Sequence, residues 1–136
     1  MPNVQNTVAL VKRLLIENSE ITDIVSDRIY TTHFYDLDNV NIEYPLIIID
    51  FESGMAGYGK SYQRFDIAIY AYSKYNVDQC LQIYSKIYDT LQASRLNNSN
   101  IADKGYIREI KRPDNGYNDK VMSYYVIGTF QVLTAG

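Results

Sequence analysis

Apolar residues recur at helical spacing in two stretches of the chain. The first stretch predicts an amphipathic helix over residues 3–17, with an aliphatic stripe that runs from Val4 to Leu15. The second predicts a helix that is capped by Asn76 and ends near Leu91. Its inward residues are expected to be Val77, Cys80, Leu81, Tyr84, Ile87, Tyr88 and Leu91. Between the two helices, residues 19–26 predict a capped helical turn.

Other stretches have the patterns of strands. The aliphatic run Leu46–Phe51, which Pro45 opens, is expected to be buried on both faces. Residues 63–73 alternate between an apolar face, starting at Phe65, and a face with Arg64, Asp66 and two tyrosines. Residues 27–32 predict a short strand, and residues 33–43 a loop. A second hairpin is expected over residues 106–134, with its turn at 113–116, because Asn-Gly adopts tight turns readily.

These elements follow one another in the order α-β-β-β-α-β-β. The order predicts an α+β fold with a mostly antiparallel sheet of four to five strands and two helices packed on one face. No composition change or linker divides the 136 residues, so residues 1–136 are expected to form a single domain. No apolar run is long enough to cross a bilayer, and a signal peptide and a membrane partner are not expected.

Charge argues against a nucleic-acid partner. The chain has 13 Lys and Arg against 16 Asp and Glu, for a net charge of −3. Residues 1–60 hold 4 bases and 9 acids, and residues 61–136 hold 9 bases and 7 acids, so the halves differ in sign. A chain with two signs can bind copies of itself, although an ordinarily solvated surface also explains the pattern. The 14 tyrosines suit interfaces, and biased codon usage is the alternative explanation.

One motif resembles a phosphate-binding loop. Residues 54–61 fit the pattern G-x-x-x-x-G-K-[ST], which in nucleotide-binding domains opens a helix whose amides hold the phosphate. Here the pattern of a strand follows Ser61, which favours a glycine-rich hairpin tip. A nucleotide-binding domain stays the less favoured alternative.

No other constellation predicts chemistry. His33 is the single histidine, and Cys80 lies on the apolar stripe of a helix. No catalytic, cofactor-binding or metal-binding residue is therefore predicted, and the protein is not expected to be an enzyme.

The order of short motifs resembles the small phage tail-completion proteins, which are also called tail terminators or tail-to-head joining proteins. The resemblance extends over nearly the whole chain. It rests on the N-terminal helix, the motif Asp27-Arg28-Ile29-Tyr30, the run that starts Tyr44-Pro45, the alternating strand 64–73, the helix 76–91 and the last strand 123–132. The glycine-rich loop 53–61 and the pair Tyr124-Tyr125 depart from the family in detail.

The resemblance implies a structural virion protein without cofactors, assembled in the host cytoplasm and located in the tail or neck. It implies a ring, hexameric in this family, that ends tail-tube polymerisation and contacts the tube protein and the head connector or stopper. Another neck component, such as a stopper or head-completion protein, is the alternative. Two segments are candidate interfaces: a hairpin arm over 53–61 and the basic hairpin strand opposite the acids Asp36, Asp38, Glu43 and Glu52. The candidate residues are Gly54, Met55, Gly57, Tyr58, Gly59, Lys60, Arg108, Lys111 and Arg112.

Overall fold

The computed structural model describes residues 4–31, 42–56, 62–92 and 105–135. Three helices and five strands follow one another in these ranges. They are α1 Val4–Ile16, α2 Ser19–Val25, β1 Ile29–Tyr30, β2 Leu46–Ala56, β3 Tyr62–Ser73, α3 Val77–Gln92, β4 Gly105–Asn118 and β5 Ser123–Ala135. The predicted α+β class is confirmed, and the expected helical turn over 19–26 is the seven-residue helix α2.

The five strands form one sheet in the order β1-β2-β3-β5-β4. Three of the four pairings are antiparallel, and the two residues of β1 pair with β2 in parallel. The sheet is therefore mixed but mostly antiparallel. β1 is shorter than the six-residue strand that the sequence predicts, and β1 and β4 are the two edges.

Asparagine side chains start two of the helices. The Oδ1 of Asn18 accepts a hydrogen bond from the backbone N–H of Glu20 at 3.0 Å, and the Oδ1 of Asn76 accepts one from Gln79 at 2.8 Å. Each bond satisfies an amide that the first turn of a helix leaves without a partner. Asn18 also donates to the hydroxyl of Thr90, which ties the start of α2 to the end of α3.

The helices cover one face of the sheet and form the main core with it. Val11 and Leu15 of α1, Ile83 and Ile87 of α3 and Phe130 of β5 are all at most 1% exposed. The alternation in β3 is confirmed, because Phe65, Ile67, Ile69 and Ala71 belong to this core. In β2, Leu46–Ile49 is buried on both faces, as the sequence predicts, but Phe51 at the end of the predicted run is 40% exposed. We call the face that the helices leave uncovered the open face.

Two predicted loops are strands in the structure. The segment 53–56, expected in the glycine-rich loop, belongs to β2 and pairs with residues 63–66 after a bulge between Phe51 and Ser53. The predicted turn at 113–116 belongs to β4, and the chain turns at 119–122 instead. There the side chain of Asn118 accepts from the backbone of Lys120, and Met122 has a φ of 52°.

The glycine at position 116 is explained by a close contact and not by a turn. A Cβ at this position would lie 2.7 Å from the hydroxyl oxygen of Tyr125, whose ring lies over the backbone of β4. The Asn-Gly sequence therefore reflects a close approach between neighbouring strands. No helix in the described ranges is long and apolar enough to cross a membrane.

Candidate interaction surfaces

The edge strand β4 carries the three basic residues of the sequence hypothesis. Arg108, Lys111 and Arg112 are all exposed. The Nε of Arg108 donates to the Oε1 of Gln131 on β5 at 2.7 Å, which holds the Arg108 side chain along the open face. The prediction that this basic segment lies on a sheet edge agrees with the strand order.

The middle of β4 departs from a regular ladder. Register shifts occur between Glu109 and Lys111 and between Lys111 and Asp114, and Pro113 lies within the second. Bulges, proline and lysine on an edge strand hinder backbone pairing with another strand. In the described part of the chain no ion pair engages Lys111 or Arg112. This segment therefore offers side chains rather than a free backbone ladder to a partner.

A polar cavity of 390 Å³ lies on the open face beside these bulges. Its lining residues are Asp66, Ile110, Lys111, Arg112, Asp114, Ile127 and Thr129. Asp66 accepts hydrogen bonds from the Nε and the second guanidinium nitrogen of Arg64, at 3.0 and 3.2 Å. The lining itself holds two carboxylates and two cations, and Arg64, bound to Asp66, adds a third cation beside the cavity.

The hairpin of β2 and β3 reaches the same end of the sheet as Arg108. Gly54 and Met55 lie in β2, where their backbones pair with Phe65 and Arg64. Phe65 of β3 pairs with Val132 of β5, and Val132 pairs with Ile107 of β4. Ile107 is next to Arg108 in the chain. The other four candidate residues of the proposed arm, Gly57, Tyr58, Gly59 and Lys60, lie outside the described residues.

Tyrosines gather at the opposite end of the open face. The rings of Tyr70 and Tyr72 stack at 5.7 Å, and the ring of Tyr125 lies 5.9 Å from that of Tyr72. They pack over Leu46 and Ile48. The pKa of Tyr72 is raised above its usual range. Burial is the larger cause, and the neighbouring Tyr70 adds to it. Tyr72 is thus held as a neutral phenol.

The alternation of residues 63–73 already places Tyr70 and Tyr72 on one face. That Tyr125 joins them depends on the register between β3 and β5, which sequence patterning does not supply.

A shallow groove separates α3 from β4 on the helical side of the sheet. Its cavity of 330 Å³ is lined by Leu81, Tyr84, Ser85, Tyr88, Glu109 and Pro113. Leu81 and Tyr88, which the sequence places in the core, are 43% and 37% exposed. They are exposed because α3 turns another face to the sheet, and residues 81 and 88 point towards β4. The buried face of α3 consists of Cys80, Ile83, Tyr84, Ile87 and Leu91.

Tyr84 forms the floor of this groove. Its hydroxyl donates to a carboxylate oxygen of Glu109. Burial, and then this bond with Glu109, raises the pKa of Tyr84 above its usual range. The phenol therefore keeps its proton at neutral pH and fixes Glu109 beside the groove.

The edge of the sheet opposite β4 is acidic. The described residues between Glu17 and Asp50 hold six carboxylates and one cation, Arg28, and one of the six, Glu20, pairs with Lys86 of α3 at 3.5 Å. Arg28 lies 3.7 Å from Glu43, whose side chain is 80% exposed, and donates to the carbonyl oxygen of Pro45 at 2.9 Å. Of the four acids that the sequence hypothesis names, Glu43 is on this side. Asp36 and Asp38 lie outside the described residues, and Glu52 is in β2.

The described residues contain no arrangement that would hold a metal ion through three or more His, Cys, Asp or Glu. Burial raises the pKa of the Cys80 thiol to about 11, so it is protonated at neutral pH.

β3 begins at Tyr62, directly after the Lys60-Ser61 pair. A phosphate-binding loop has a helix at this position, whose N-terminal amides complete the anion site. This strand argues against the nucleotide-binding alternative. His33 lies outside the described residues.

The same fold occurs in a phage-like particle. A chain in the solved structure described as the virion of a native gene transfer agent particle matches with a TM-score of 0.65. The match covers 95% of this chain and 94% of that chain, at 13% sequence identity. At this identity the likeness establishes the fold. No protein-family model matches the chain, and no curated protein does so either.

Proposed function

We propose that this chain is a structural virion protein, and specifically a tail-completion subunit of a phage or phage-like particle. In this role copies of the chain form a ring, hexameric as in the tail-terminator family, at the head-proximal end of the tail tube. The ring ends tube polymerisation and presents a surface to the head connector or stopper. The protein acts by binding and not as an enzyme.

The observation that carries the proposal is the match in fold to a chain of a virion particle over nearly the full length of both chains. The order of sequence motifs is a separate argument, and it supports the finer assignment to the tail-completion proteins.

The distribution of charge supports a ring. A head-to-tail ring needs two different, complementary patches on each subunit. β4 exposes Lys111 and Arg112 at one edge of the sheet, and the acidic residues around β1 and β2 lie at the other. Lys74, whose ammonium lies 4.8 Å from the ring centre of Tyr44, adds a second basic position beside the tyrosine cluster. A single subunit thus carries distinct surfaces for its neighbours and for other virion proteins.

The proposal is tested with purified protein and purified tail-tube protein from the same particle. We expect size-exclusion chromatography with light scattering to show a closed oligomer, and negative-stain images to show rings. Added to polymerising tube protein, the rings should shorten the tubes and cap one end. Rings that bind the connector but leave tube length unchanged would indicate a stopper or head-completion protein instead. A monomer that binds neither partner would contradict the proposal.

A further inference from the structure

The outer edge of β2 is open beyond β1. β1 pairs only with Ile47 and Ile48, so within the described ranges no strand pairs with Asp50 or Phe51 on that side. The side chain of Asp50 makes no hydrogen bond or ion pair in the described part of the chain, while its backbone pairs with Ala68 of β3. Phe51 contacts the ring of Phe65 at 6.3 Å between centroids, yet it is 40% exposed. An unpaired carboxylate and an exposed aromatic ring are therefore adjacent at this edge.

The β4 edge carries complementary groups at the same level of the sheet. A row here means residues that are paired side by side across neighbouring strands. Asp50 pairs with Ala68, Ala68 with Thr129, and Thr129 with Lys111, so Asp50 and Lys111 end one row. Both lie on the open face, where Lys111 lines the polar cavity. Three strand spacings, about 14 Å, separate them within one chain. That distance exceeds the screening length of about 8 Å at physiological salt, so the two charges gain little from each other inside one subunit.

In the neighbouring row, Phe51 at the β2 edge lies level with Glu109 at the β4 edge, and both are on the helical side of the sheet. Phe51 pairs with Ile67, Ile67 with Phe130, and Phe130 with Glu109. Glu109 lines the groove between α3 and β4, together with the exposed Leu81 and Tyr88 and with Pro113. The aromatic ring at one edge and the apolar groove at the other thus lie at the same level and on the same side of the sheet.

We infer that the β2 edge of one copy docks against the β4 edge of the next copy in a head-to-tail contact. Asp50 pairs with Lys111 of the next copy on the open face, and Phe51 enters the groove formed by Leu81, Tyr88 and Pro113 on the helical side. The inference rests on the proposed ring and names the surfaces that build it.

Side chains rather than a continuous backbone ladder make this contact. Pro113 and the two register shifts interrupt β4 at the level concerned. An apolar centre with a charged pair at its rim is the usual composition of a protein interface. Because the two patches differ, the contact repeats around a ring instead of closing as a two-fold dimer.

Charge reversal tests the pairing through sedimentation velocity over a range of protein concentration. Asp50→Lys and Lys111→Asp should each weaken the association of neighbouring copies roughly tenfold, since each places like charges across the contact. The double variant carrying both changes should restore association, and so should an equimolar mixture of the two single variants. Asp89→Lys is the matched control, because Asp89 is exposed on the outer side of α3.

Apolar substitutions test the groove separately. Leu81→Glu should weaken association by roughly a hundredfold, as expected for loss of a central contact. Tyr75→Glu is the control, since Tyr75 is 73% exposed and does not line the groove. Circular dichroism checks that each variant is folded. Leu81 is on the helix surface, so this variant keeps the test valid if Asp50→Lys fails to fold.

The outcomes separate the inference from the proposed function. If the wild type forms rings and Asp50→Lys, Lys111→Asp and Leu81→Glu form them equally well, the interface lies elsewhere and the ring stands. If single reversals weaken assembly but the double variant does not recover, the Asp50–Lys111 pairing is wrong. A wild type that remains monomeric at every concentration contradicts both the ring and this contact.

Discussion

Tyr84 of α3 lies directly over Gly128 of β5. A Cβ built on Gly128 would be 2.5 Å from the Cζ of the tyrosine ring, well inside van der Waals contact. The ring also packs beside Phe130, with centroids 6.2 Å apart. The absence of a side chain at residue 128 therefore sets how closely α3 approaches the sheet, and with it the width of the groove between α3 and β4.

Gly128→Ala should destabilise the protein by about 1–3 kcal/mol, because the added methyl forces the buried Tyr84 ring to move. Urea unfolding followed by circular dichroism measures the change. Gly116→Ala is the matched comparison: its Cβ would meet the hydroxyl end of Tyr125, which is less buried, so we expect a smaller loss. Combining Gly128→Ala with Tyr84→Leu should recover part of the stability. Equal stability of Gly128→Ala and the wild type would contradict the close packing.

Stability should fall as pH rises above about 10. In the unfolded chain Tyr84 ionises near its ordinary pKa of 10.0, whereas burial and the bond with Glu109 raise its pKa in the folded protein. Above pH 10 the unfolded state therefore binds fewer protons, and the free energy of unfolding decreases with pH; below it this contribution is fully present. Tyr72 acts in the same direction.

Tyr84→Phe should remove about one proton from this dependence, or about 1.4 kcal/mol per pH unit of slope near pH 11, where the phenol of the unfolded chain is almost fully ionised. The slope is measured by urea unfolding at several pH values between 9 and 11.5. Tyr72→Phe should reduce it in the same way. A slope that does not change in Tyr84→Phe would show that the phenol ionises alike in the folded and unfolded states.

Much of the fold follows from local patterning, because each element has its own periodicity. The helical spacing from Val4 and from Val77 locates α1 and α3, and the alternation after Arg64 identifies which side of β3 meets the helices. Asn18 and Asn76 hydrogen-bond to nearby backbone amides, which is why helix starts can be identified from sequence.

The errors arise where a contact between distant residues decides the outcome. Asn115-Gly116 has the sequence of a turn, but Gly116 is required by the ring of Tyr125 from the neighbouring strand. Leu81 and Tyr88 fit the apolar stripe of α3, yet the helix is rotated so that they face the groove towards β4. The alignment of Asp50 with Lys111 depends on the register of four strands. None of these relationships is present in a single stretch of sequence.

Nucleotide binding is expected to be absent. The strand that begins at Tyr62 places no helix N-terminus after Lys60-Ser61, so the amides that hold phosphate in a nucleotide-binding loop are not available there. Isothermal titration with ATP and Mg²⁺ should show no binding at micromolar concentrations. A stoichiometric heat that Lys60→Ala abolishes would contradict this prediction and favour the nucleotide-binding alternative.

Shortening the β2–β3 hairpin tests the proposed arm apart from the contact between sheet edges. Ala56 pairs with Gln63, so replacing residues 57–62 with Asn-Gly gives a two-residue connection that suits an antiparallel hairpin. The core residues that the structure describes all lie outside this segment, and we expect circular dichroism and urea unfolding of the variant to match the wild type. Gly57, Tyr58, Gly59 and Lys60 are lost, so binding to a neighbouring copy or to the tail tube should weaken if they form the arm. Sedimentation velocity measures the first effect and tube length the second.

The Asp50–Lys111 contact is retained, so a loss of tube capping with rings intact would assign the arm to the tube. If both ring formation and capping are unchanged, residues 57–62 have no role in assembly.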